Sequence, residues 1–155
     1  MTADKARSAN SADPAPRFVN TYVAYLLART SQLISAEFHQ ALAARKIPVM
    51  HWRVLAALSD GPMSVSELAD IVLEKQPTMS RILLRMESID LVQRQPGTTD
   101  KRSTLVSITT DGKRVVKPLL TLARRHEREV LAPLGPDHAQ VLIDALQQLI
   151  ALHSV

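Results

Sequence analysis

Apolar residues recur with the 3.6-residue period of an amphipathic helix over most of this chain. From Phe18 to about Arg45, Val23, Leu26, Leu27, Thr30, Leu33, Ile34, Phe38 and Leu42 form one stripe, which Ile47–Pro48 ends. A second helix is expected over Val49–Ser59, closed by Gly61–Pro62. A short third one covers Ser64–Val72, where Ser64 and Glu67 have capping-box spacing and Met63 precedes the cap as a staple against Leu68. After a linker at Leu73–Glu74 the helical pattern resumes to Ile89, with Met79, Ile82, Leu83, Met86 and Ile89 inward and Pro77 in the first turn. The sequence leaves open whether Glu74 or Gln76 caps it.

The period then drops to two. Leu91–Gln95 and Thr104–Ile108 read as short strands joined by PGTTDKRS, a turn with a charged tip. Thr109 caps a long helix to about Leu131, with Val115, Val116, Leu119, Leu120, Ala123 and Val130 inward and a bend expected at Pro118. Leu134–Gly135–Pro136 breaks the chain, and Asp137–Leu152 forms a last helix with Val141, Leu142, Ala145, Leu146, Leu149 and Ile150 inward. Residues 1–17 are small and polar without a period and read as a flexible leader.

Two short helices across a tight turn, followed at once by a hairpin, form a winged helix-turn-helix. The expected fold is therefore mainly α with a small β-hairpin wing. The winged unit spans 47–109, and the helices of 18–46 and 110–155 form a separate layer. Their apolar stripes exceed what one subunit can cover, which implies a two-fold homodimer.

Charge sharpens this picture. The outward face of the fourth helix carries Lys75, Gln76, Thr78, Ser80, Arg81, Arg85 and Ser88 and no carboxylate, with Glu87 at its boundary. A solvated face usually mixes both signs, whereas cations and short hydroxyls suit phosphates and base edges in a major groove. The chain as a whole carries a net charge of +4, a balance that suits a polyanion. Aromatic residues make up only 3%, which argues against a base-stacking platform for single strands. There is no cysteine, which excludes disulfides, thiolate metal sites and thiol redox sensing and fits a cytoplasmic setting. Neither a membrane span nor a secretory signal is visible. Of the five histidines, none stands in an HExxH pattern or beside a phosphate loop. His126 lies in the alternating run ARRHERE, so catalysis, a cofactor and a metal are not expected.

The segments HWRVLAAL at 51–58, SVSELAD at 64–70, EKQPTMSRILLRME at 74–87 and DKRSTLVSITTDGK at 100–113 resemble the MarR family of bacterial transcription regulators. The likeness runs in order through most of residues 20–150. It implies a dimer on pseudo-palindromic double-stranded DNA, usually a repressor, relieved by a small, often phenolic or amphipathic effector bound between the dimer layer and the winged unit. The family's wing pattern is matched by Asp100, Lys101 and Arg102.

Roles follow from chemistry. Thr78, Arg81 and Arg85 are expected to face the major groove, with Lys75, Gln76 and Ser80 near the same edge. Arg81 suits a bidentate contact to guanine, and Arg85 suits a phosphate clamp. Ser64 and Ser66 are candidates for phosphate contact, with pure capping the favoured role of Ser64. Lys101 and Arg102 are expected at the minor groove, with Asp100 orienting Arg102. Tyr22, Tyr25, Arg29, His51, Trp52 and Arg53 are the candidate effector contacts; His39 lies nearby. For Trp52 and Arg53 the competing role is to brace the helices. A metal-responsive regulator of the same fold and a winged-helix protein-interaction module are the alternative functions.

Overall fold

The computed structural model describes residues 17–97 and 104–154. The described residues divide into two compact units, the first ending at residue 35 and the second beginning at residue 36. In the first, Phe18–Asn20 make a 3-10 turn, so the opening helix does not start at Phe18. Phe18 and Tyr22 stack with ring centroids 5.1 Å apart, and helix α1 (Val23–Ala43) begins just beyond. The boundary between the units falls inside α1.

The second unit continues with α2 (Val49–Ala57), β1 (Met63–Ser64), α3 (Val65–Ile71), α4 (Gln76–Ser88), β2 (Val92–Pro96), β3 (Thr104–Ile108), α5 (Thr110–Leu131) and α6 (Pro136–His153). The end of the expected second helix, Leu58–Asp60, tightens into a 3-10 turn before Gly61, whose φ of 154° suits a residue without Cβ. The capping box of α3 forms in full: Ser64 Oγ accepts from the Glu67 amide, and Glu67 Oε2 accepts from the Ser64 amide at 2.8 Å. Thr109 Oγ1 likewise accepts from the Gly112 amide at the start of α5. Helix α5 is continuous through Pro118.

The wing is a three-stranded antiparallel sheet in the order β1-β3-β2. Its hairpin pairs Val92 with Ile108 and Arg94 with Val106, while β1 adds Met63 opposite Val106. The first strand is a correction to the two-stranded wing. Two residues cannot display a period of two, and Ser64 already serves as a helix cap.

Three helices end in a way that no glycine announces. Lys46, Leu73 and Asp90 adopt left-handed φ angles of 57°, 60° and 59°. Each closes the paired bonds of a Schellman turn: Ile47 to Leu42 and Lys46 to Ala43, Glu74 to Ala69 and Leu73 to Asp70, Leu91 to Met86 and Asp90 to Glu87. The turn between α3 and α4 is thus built on Leu73, which is 87% exposed and carries the left-handed cost itself.

The main core joins Val54, Leu55 and Leu58 to Leu68, Ala69 and Val72 of the α3 segment, Met79, Leu83 and Met86 of α4, Val92 and Val106 of the wing, and Val116 of α5. A second cluster packs Phe38 and Leu42 on Leu119, with Trp52 bordering both. Among the described residues no polar or charged one is buried. Two apolar stripes read as inward are not covered by the described residues. Of α1 only Phe38 and Leu42 are buried, and Val23 stays 58% exposed. No residue of α6 is buried, and Ile150 and Leu152 stand 66% and 70% exposed.

Candidate nucleic-acid interface

Helix α4 is placed by its apolar side. Met79, Leu83 and Met86 are fully buried, which turns Gln76, Arg81 and Arg85 to solvent with Thr78 and Ser80 half-buried beside them. Lys75 is the N-cap residue, and its amide donates to Glu74 Oε1 at 2.9 Å, so neither Glu74 nor Gln76 holds the cap position itself. Ser80 Oγ donates to the Gln76 carbonyl. Ile89 is a second correction: it lies 53% exposed rather than in the core. At ten residues from Met79 it has drifted roughly 80° off the stripe, and the helix has already ended at Ser88.

The boundary carboxylate is taken out of play by the wing. Glu87 Oε2 accepts from Arg94 Nε at 2.9 Å and Nη2 at 2.7 Å, and Glu87 Oε1 accepts from the Arg94 amide. These bonds, the side-chain ones foremost, hold the Glu87 carboxyl below its ordinary range. The pair also rivets α4 to β2. Sequence reading missed it, though it left a signal. Alternation puts Arg94 on the same side as the buried Val92, where a cation needs a partner.

Two recesses flank α4. One, of about 720 Å³, runs between Pro48, Met50 and His51 of the α2 entry and Thr78, Arg81, Ile82, Arg85 and Ile89. His51 there is held below the usual histidine value, first by burial and then by the Arg85 guanidinium. The other, of about 270 Å³, is lined by Ser64, Val65 and Ser66, by Gln76 and Ser80, and by Arg94 and Thr104 of the wing. It therefore gathers Ser64, Ser66, Gln76 and Ser80 on one side of α4, while Thr78, Arg81 and Arg85 share the other. Ser64 also donates its hydroxyl proton to Glu67 Oε2 at 2.7 Å and lies 3.1 Å from Ser66 Oγ.

Asp100, Lys101 and Arg102 lie outside the described residues. Tyr22, Tyr25 and Arg29 belong to the first unit, and Arg29 Nη1 donates to Gln32 Oε1. In the second unit, His51 opens onto the recess beside α4, whereas Trp52 packs on Phe38 at 5.1 Å, so these neighbours serve different surroundings. Arg53 is half-buried on α2. Among the described residues no three of His, Asp or Glu come together to hold a metal ion, and no helix is long and apolar enough to cross a membrane.

A short helix, a tight turn, a cation-faced helix and a three-stranded wing define the chain as a winged helix-turn-helix protein. The MarR family profile matches residues 46–103. The HTH-type transcriptional repressor NicR of Pseudomonas putida is 27% identical over 139 residues, covering 89% of this chain and 88% of that protein. The homoprotocatechuate degradative operon repressor of Escherichia coli is 27% identical over 131 residues, covering 84% and 87%. The crystal structure of a MarR family transcriptional regulator from Silicibacter pomeroyi DSS-3 matches with a TM-score of 0.78 at 36% identity, over 88% of this chain and 98% of that one. This chain belongs to the MarR family of transcription regulators, proteins that act by binding DNA and not by catalysis.

Proposed function

We propose that the protein is a repressor that binds a pseudo-palindromic duplex operator as a homodimer and is released by a small aromatic or amphipathic effector. The observation that carries this reading is the outer face of α4. Arg81, Arg85 and Gln76 are exposed there, and Glu87, the carboxylate at its boundary, is bonded to Arg94. Arg81 is assigned to a base edge and Arg85 to a phosphate. The homodimer is supported by the uncovered apolar residues of α6 and α1, a surface that a second copy would bury. Repression and an aromatic effector rest on the relatives: one of them is, by its name, the repressor of a homoprotocatechuate degradative operon. Arg29 and His51 are the candidate partners for an effector carboxylate, with Tyr22, Tyr25, Trp52 and Arg53 as the other candidate contacts. A metal-responsive mode finds no ligand cluster to support it among the described residues.

The test begins with selection of a bound operator from random duplex, followed by affinity measurements on it and on unselected duplex. Arg81→Ala is expected to cost about 1–3 kcal/mol on the operator and to relax selection at one base position. An equal loss on both duplexes makes Arg81 a phosphate contact, and affinity that ignores salt overturns DNA binding altogether.

A further inference from the structure

The smaller recess beside α4 joins three elements that the sequence treats separately: the start of α3, the first turn of α4 and the wing. Beside Val65 its walls are hydroxyls, one amide and one guanidinium, and among the described residues no carboxylate lines it, although Glu67 stands behind Ser64. Ser64 spends its hydroxyl proton on Glu67 and Ser80 spends its own on the Gln76 carbonyl. Arg94 is the cation of the recess. Glu87 grips it through Nε and Nη2, and its side chain keeps 28% of its surface open to solvent. A guanidinium steered by a carboxylate on one edge is a pre-oriented donor for an anion on another, at little entropic cost.

We propose that this recess seats one backbone phosphate of the bound duplex, with Arg94 as its principal ligand and Gln76 as a further donor. The proposal rests on the duplex-binding reading and adds to it a ligand from the wing strand. A phosphate is favoured over a base edge because the recess lies to one side of the Arg81–Arg85 face. A guanidinium among hydroxyls also matches an oxyanion without reading sequence. The rival role for Arg94 is a strut that only ties β2 to α4.

The experiment measures affinity of the full chain for a random-sequence 30-base-pair duplex between 50 and 200 mM KCl, together with the melting temperature. Arg94→Gln is expected to reduce the slope of log affinity against log salt by about 0.9, so that the loss across this range shrinks by roughly 3.5-fold. Arg94→Lys keeps the charge and is expected to keep the slope. Both variants lower the melting temperature, since both lose the fork to Glu87. A wild-type slope in Arg94→Gln, with a lowered melting temperature, makes the residue a strut and overturns the proposal. A wild-type protein whose binding is insensitive to salt refutes duplex binding itself, and this proposal with it.

Discussion

Gly112, in the first turn of α5, offers a test in which the usual sign of a substitution is reversed. In an ordinary helix, Gly→Ala stabilises by about 0.5–1 kcal/mol, because alanine restricts the unfolded chain. Here a Cβ would collide with the Leu91 carbonyl oxygen and stand 2.7 Å from Ile108 Cγ1 and 3.2 Å from the Leu91 carbonyl carbon. Ile108 is a side chain that can turn aside, but Leu91 is backbone. Its oxygen accepts from the Thr109 amide at 3.2 Å, and Thr109 Oγ1 donates to the Asp90 carbonyl at 2.5 Å. Relief therefore means lifting α5 off the corner between α4 and β2. Overpacking of this kind costs about 1–3 kcal/mol, and weakening two hydrogen bonds adds about 0.5–1.5 kcal/mol each. Gly112→Ala is expected to destabilise by about 1–5 kcal/mol after the helix-propensity gain. Urea unfolding followed by circular dichroism, at one fixed protein concentration, measures it. A midpoint equal to or above that of the wild type would show that the close approach of α5 to Leu91 is absent.

Two other expectations concern pH and assembly. Because His51 titrates below its unfolded value, the unfolded chain takes up the proton first as pH falls. Its contribution to stability is whole above about pH 6.5 and is lost as pH drops through the lower folded value. The fall in urea midpoint from pH 7.5 to 5 is expected to be shallower in His51→Gln, and parallel curves would remove His51 from the account. On α6, Ile150→Asp puts a charge on an uncovered apolar face. If a second copy buries that side chain, the two lost contacts, at about 2 kcal/mol each, raise the dimer dissociation constant about a thousandfold. Sedimentation velocity reads this, and an unchanged mass at micromolar concentration clears α6 of the interface.

Much of the fold is legible in the chain because its signals are local. Ser64 with Glu67 and Thr109 before α5 are caps whose partners lie three residues away. Likewise, Met79, Leu83 and Met86 mark the buried side of α4 by spacing alone. The Schellman turns at Lys46, Leu73 and Asp90 were not legible, because the left-handed residue there is not glycine and packing must hold it. Strand β1 was hidden for a related reason: its pairing with β3 joins residues some forty positions apart. The interface divides in the same way. Arg81 and Arg85 are visible from helical periodicity, whereas Arg94 becomes a candidate only once Glu87 is seen to hold it.

The residues alone determined that this chain is a winged helix-turn-helix with a basic fourth helix, since caps, stripes and turn breakers act over a few positions. Tertiary structure decided which side chains share a recess, which carboxylate is neutralised, and which apolar faces stay open. Those outcomes depend on distances between elements far apart in the chain, and nothing in local periodicity encodes them.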